Sequence, residues 1–259
     1  GDANIIGFGA NQSVAFGQEN TIAAGPGKYQ NVTLGRYNTI DGVVNYAFGT
    51  SNTISHTDIG VKTEHGGSLA VGLSNTINSN NASVALGRGN TIPATAVRAA
   101  AIGESNTASA RASIALGFNN TSSAYASTAV GFQNISSSQA SFAGGYQSDA
   151  TNDNAFAYGN DAQASGASSA AFGVITKAQG NYSFTQGYGT NATNPSEAAL
   201  GQYNLPVTSA IFQVGDGNTS SSQSNLISAI KGGLPADSWM AIGSGTVSPT
   251  RETNERLRV

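Results

Sequence analysis

Residues 111–134 read RASIALGFNNTSSAYASTAVGFQN, and within them ASIALGFNN (residues 112–120) is nearly rewritten as ASTAVGFQN (residues 126–134). With Gly117 as the anchor, steps of fourteen residues land on Gly103, Gly131, Gly145, Gly159, Gly173, Gly187, Gly201 and Gly215. Upstream the same phrase recurs as SVAFGQENTI, NVTLGRYNTI, NYAFGTSNTI, SLAVGLSNTI and SVALGRGNTI, on Gly17, Gly35, Gly49, Gly72 and Gly87. The intervals from Gly17 to Gly103 are 18, 14, 23, 15 and 16 residues, and a partial copy, IIGFGANQ, sits near Gly9. A fixed interval of this kind marks a repeat architecture.

The repeat resolves into columns. Three residues before the glycine stand Val14, Val32, Leu69, Val84, Ile114 or Phe142, and one before it Phe16, Leu34, Val71, Leu86, Leu116 or Val130. Between them lies alanine, as in Ala85, Ala115 and Ala129. Alternation of large and small is the period of a strand. Three residues after the glycine comes asparagine (Asn20, Asn52, Asn106, Asn134), turn chemistry in which the side chain bonds local backbone or its stacked neighbours. A second alternation follows, with Ile22, Ile40, Ile54, Ala108 or Ala150 five residues after the glycine and polar residues beside them. Each fourteen residues therefore give strand, turn, strand, turn, with no 3.6-residue period to suggest a helix. Successive copies stack in parallel, so the fold class is all-β, a parallel β-roll (β-solenoid) of about 14-residue coils. About fourteen coils at roughly 4.8 Å make a rod on the order of 65 Å long.

The second strand has one apolar and one polar face. The first is apolar on both, and such a strand is covered on both faces. One cover is the interior of the roll; the other has to come from further copies of the chain. Because the second strand offers mainly alanine in the later coils, the large Val, Leu and Phe columns are expected to fill the interior, with the alanine column at the subunit contact.

Composition sets limits on function. Charged residues make up 10% of the chain and the net charge is −3. The eleven Lys and Arg residues are scattered, which recommends neither nucleic acid nor an anionic membrane as partner. There is no cysteine, hence no disulfide or thiolate-metal framework. No run approaches the ~18 apolar residues of a membrane span, so no membrane insertion is expected of this segment. The start at Gly1-Asp2, without Met, is expected of a mature product or a fragment.

The phrases SVAFGQEN, SVALGRGN and SIALGFNN resemble the head domain of trimeric autotransporter adhesins. That resemblance implies a left-handed roll, a tight homotrimer, a non-enzymatic role in adhesion and an extracellular place on the bacterial surface. The C-terminal segments ALGQYNLPVTSAIFQVGDGNTSSSQSN and ERLRV depart from it and resemble bacteriophage tail-fibre and related surface-fibre proteins, which implies a virion tail fibre as the other setting. The rhythm fails after Gly215, so residues 1–218 are read as the roll and 219–259 as a cap and a connection to a further module.

Chemistry is sparse. The two histidines, His56 and His65, share one segment, SHTDIGVKTEHGG, with Asp58, Lys62 and Glu64. His and carboxylates together suit a metal, but the plainer reading is a solvated polar loop; no catalytic residue, cofactor or metal is expected. Regular coils are scaffold, and insertions are where a solenoid places recognition. The candidate receptor-binding residues are accordingly Lys28 and Tyr29 in AAGPGKYQ, the His56–His65 insertion, and Arg98 at the end of a third. The partner expected there is a host-cell glycan or protein. Three alternatives remain: a purely structural spacer, a polysaccharide-degrading fibre, and an ice-binding protein suggested by the threonine column Thr21 to Thr121. The calcium β-roll, hinted at by Asp149, Asp153, Asp161 and Asp216, needs a nine-residue period that this chain lacks.

Overall fold

The structure of the chain, a computed structural model, describes residues 3–23, 30–55, 67–79, 81–232 and 239–242. The described residues form strands and turns, with no helix. Two sheets run the length of the roll, one of 16 strands and one of 13. In the larger, five-residue strands from Val14–Gln18 to Ala198–Gln202 lie parallel, each paired with the strand of the next coil. Glycine sits on glycine in register, as in Gly103↔Gly117 and Gly117↔Gly131. The smaller sheet stacks two- and three-residue strands from Ile5–Ile6 to Asn191–Ala192. Each coil from Val14 to Ala192 thus gives one strand to each sheet, which is the parallel β-solenoid of about 14-residue turns expected from the repeat.

The pairing continues through the turns. Asn119 N–H donates to Glu104 O at 2.9 Å, Ser123 N–H to Ser136 O at 2.9 Å and Ala126 N–H to Arg111 O at 3.1 Å. Two positions per coil take left-handed backbone without being glycine, for example Asn119 (φ 53) and Ala126 (φ 54). Such residues cost about 1 kcal/mol each. The turns keep that geometry because it aims each N–H at a carbonyl of the neighbouring coil, where an unpaired group would cost more. The anchor glycine is a different case. Gly117 has φ 119, and a Cβ there would collide with the Gly131 carbonyl, so the column is closed to every other residue.

The interior reverses one expectation. The alanine column faces inward and is fully buried: Ala47, Ala85, Ala115 and Ala129 are 0% exposed. The large columns face outward, with Phe16 69% and Leu116 40% exposed. The expectation rested on a void opening between alanines. Instead Ala meets a strand of only two or three residues, and the sheets close together until small side chains fill the gap. In the N-terminal coils Ile22, Ile40, Ile54, Ile77 and Ile92 supply the bulk from the short strand; from Ala108 onward Ala and Ser suffice.

The corner between the sheets is closed by asparagine. Asn120 Nδ2 donates to Leu116 O (3.0 Å) in its own coil, to Gly131 O (2.7 Å) in the next and to Asn106 Oδ1 (3.1 Å) in the previous one. The same pattern links Asn52, Asn75, Asn90, Asn106 and Asn134. Repetition every coil turns a turn residue into a continuous buried polar ladder.

At the C-terminal end the winding changes sense. Ala210–Asp216 is the last parallel strand. Asn225–Ile230 then returns antiparallel to it, and Trp239–Ile242 antiparallel to that.

Candidate functional site

Of the candidate loop residues, Lys28, Tyr29, His56, Asp58, Lys62, Glu64 and His65 lie outside the described residues. Arg98 is described, and its side chain is exposed. Its backbone, at φ 59, occupies the same left-handed turn position as Ala112, Ala126 and Ala140 in later coils, and its N–H donates to Asn81 O at 3.1 Å. Arg98 is therefore a decoration on the regular turn scaffold. It is the one candidate among the described residues.

What the fold does assemble is the outer face of the 16-stranded sheet. Its two central columns run from Val14 and Phe16 to Phe212 and Val214, and neither contains a charged residue. A third column, one residue after the glycine, is mixed: Leu73, Phe118, Phe132, Tyr146 and Tyr188 extend the apolar face, while Arg36, Arg88, Glu104 and Asp216 charge it in other coils. Stacking in register brings like side chains together at the coil spacing, which matches the range for offset aromatic stacking. Phe118 and Phe132 stack at 5.1 Å and 10°, Phe132 and Tyr146 at 5.0 Å and 4°, and Phe142 and Phe156 at 4.6 Å and 10°. Where the column holds Gly144, the rings of Phe142 and Tyr158 close over the gap, so that a Cβ there would be only 2.8 Å from each. The face is thus levelled as well as apolar.

It also continues past the change of sense. Val214 pairs with Ile227 and Ile227 with Ile242, while Phe212 pairs with Ala229 and Ala229 with Met240. Met240 and Ile242 are both exposed. The two central columns, about 7 Å wide along about 70 Å of sheet, amount to an uncharged and mainly apolar surface on the order of 500 Å². That lies at the upper end of what a monomer ordinarily leaves open.

Charge lies at the rim. Arg88 and Glu104 pair at 3.4 Å with both side chains exposed, a contact worth about 1 kcal/mol at most. Arg36 lies over the Tyr37 ring at 5.4 Å from its centroid. The opposite sheet presents the threonine ladder of Thr39, Thr53, Thr76, Thr91, Thr107 and Thr121, followed by the exposed Ile135 and then by polar Asp149, Gln163 and Lys177. Burial, helped by the Asp161 charge, pushes the Asp149 carboxyl above its ordinary range. Among the described residues no group of three or more His, Cys, Asp or Glu stands close enough to hold a metal ion.

Sequence reasoning found both apolar columns but not which side of the sheet they take. It missed the aromatic ladder one residue after the glycine, whose signal was the run Phe118, Phe132, Tyr146 at the repeat interval.

No protein-family model matches the chain, and no curated protein matches it significantly. Among the described residues no helix is long and apolar enough to cross a membrane.

Proposed function

We propose that this chain is a segment of a non-enzymatic, homotrimeric surface fibre, wound left-handed, that attaches to a glycan or protein receptor on a host cell. Its place is extracellular, on a bacterial surface or a virion tail fibre. The observation that carries the reading is the pair of uncharged central columns on the outer face of the long-strand sheet, open in the single chain and continuous from the Val14 strand to Ile242. Water-exposed columns of Phe, Leu and Val are covered most simply by the same columns on further copies, because an in-register rod offers a straight, self-complementary surface. The number three and the handedness come from the resemblance to adhesin heads. Assembly would present every surface loop three times, so weak single contacts add through avidity.

A structural spacer is the second reading. It is favoured by the strict regularity of the coils from Gly103 to Gly201, whose turns repeat one geometry.

Light scattering on the purified chain tests the assembly: about three times 26.0 kDa is expected, and a stable monomer refutes the fibre. Binding of the assembled chain to target cells and to a glycan array then separates the two readings. Deletion of residues 57–65 should lower binding while leaving the mass per assembly unchanged. An intact trimer that binds nothing is a spacer.

A further inference from the structure

Ten buried side-chain polar atoms among the described residues lack a hydrogen-bond partner, and seven of them belong to Ser169, Thr176, Ser183, Thr185, Thr190, Asn191 and Glu197. The cause is local. The asparagine ladder gives way to Ser148, Ala162, Thr176 and Thr190 before resuming at Asn204. There the Thr176 and Thr190 hydroxyls bond nothing, whereas Asn134 Nδ2 reaches Val130 O and Gly145 O.

One of the seven is a carboxylate. Glu197 stands in the inward column that holds Ser113, Ser127, Ser141, Ser169 and Ser183 in earlier coils, and it is 1% exposed. Its Oε2 accepts two bonds from Asn194, from the backbone N–H and from Nδ2, both at 2.8 Å. Its Oε1 has none. Asn194 in turn grips the next segment: its Nδ2 donates to Val207 O at 2.8 Å, and its Oδ1 accepts from Ser209 N–H at 3.0 Å. Glu197 therefore positions the residue that ties the last regular coil to the strands that follow.

The groups sharing its interior layer are uncharged. Ser183 and Thr185 come from the preceding coil, Ala192 from the short strand and Gln213 from the following coil. Gln213 is already engaged with Asn204 and Leu205. A buried carboxylate oxygen with no cation beside it is a costly object. A proton removes the cost. The neutral carboxyl no longer carries a buried charge, and its Oε2 keeps both bonds from Asn194.

We propose that Glu197 is a proton-binding site of the folded roll, and that the neutral carboxyl latches the last regular coil to the C-terminal strands, so that loss of the proton loosens this junction. The direction of its titration agrees: burial raises the Glu197 carboxyl above its ordinary range, against the lowering effect of the bonds from Asn194. The sign follows by linkage. Below the ordinary carboxylate range both folded and unfolded chains hold the proton, and folding carries no penalty. As pH rises past that range the unfolded chain ionises first, and stability falls until the folded carboxyl ionises too. Asp149 has the same sign and needs a control.

The test uses the assembled chain in an Asp149→Asn background. Melting temperature is followed from pH 4 to 8 with and without Glu197→Gln, alongside limited proteolysis of residues 205–224. The melting temperature is expected to fall with rising pH, and cleavage to rise, only where Glu197 is present. The Gln variant should be at least as stable as its parent at pH 8. A ¹³C NMR titration of Glu197 in the unaltered protein gives a second readout, expected above the ordinary carboxylate range. The proposal is overturned if Glu197 titrates at or below that range, or if the Gln variant is the less stable at pH 8. Stabilisation by sodium, magnesium or calcium chloride at constant ionic strength that Glu197→Gln abolishes would also overturn it, since the site would then hold a metal cation.

Discussion

Asn120 is the sharpest place to test what holds the coils together. Its amide donates to Leu116 O, Gly131 O and Asn106 Oδ1, and its oxygen accepts from Asn134 N–H at 3.0 Å and Asn134 Nδ2 at 2.9 Å. Asn120→Ala removes all five contacts. At about 1 kcal/mol net per bond, with the Asn134 N–H left unpaired, the loss is about 3–5 kcal/mol. Asn120→Asp keeps the shape but replaces a buried donor with an acceptor that faces three oxygens; this variant should be worse by several kcal/mol. Asn120→Ser should be the mildest, because Ser148 fills the same column and its hydroxyl still reaches Gly159 O at 3.2 Å. In a solenoid each coil touches only its neighbours, so the fault weakens the contacts with the Asn106 and Asn134 coils. Urea denaturation followed by circular dichroism gives the magnitudes, and amide exchange locates the opening. An order other than Asp, Ala, Ser from most to least damaging would refute the ladder as a source of stability, as would an Asp variant within 1 kcal/mol of the parent.

Three further outcomes are expected. Ala129→Asp buries a charge in the interior and should abolish folding, whereas Leu116→Asp on the outer face should leave the roll's circular dichroism intact and abolish assembly in light scattering; identical behaviour of the two would invalidate the assignment of faces. Gly117→Ala, at φ 119 and against the Gly131 carbonyl, should cost about 3 kcal/mol or more, while Gly89→Ala, at φ 62 with Ser105 Oγ 3.8 Å away, should cost about 1 kcal/mol in the same melt. Thr121→Asp on the polar face of the short-strand sheet should shift stability by less than about 1 kcal/mol.

The repeat carried most of the fold. A glycine every fourteen residues, an asparagine three later and two alternating runs dictate strand, turn, strand, turn, because each column has to stack on itself. The asparagine's dealings with stacked neighbours were legible for the same reason. The direction of the faces was not. A period of two divides Ile114 and Leu116 from Ala115 but leaves open which set is inside, since that depends on how closely the two sheets approach. Only the packed roll shows the short strand closing on the alanines and the bulky columns turned outward, exposed in the single chain. Glu197 was illegible too: in the sequence it is one acid among many polar residues, and burial arises only because its column points inward in every coil. The local pattern specifies what repeats. Sheet separation, burial and the fate of a single carboxyl belong to the tertiary structure, because they depend on side chains a full coil apart in sequence.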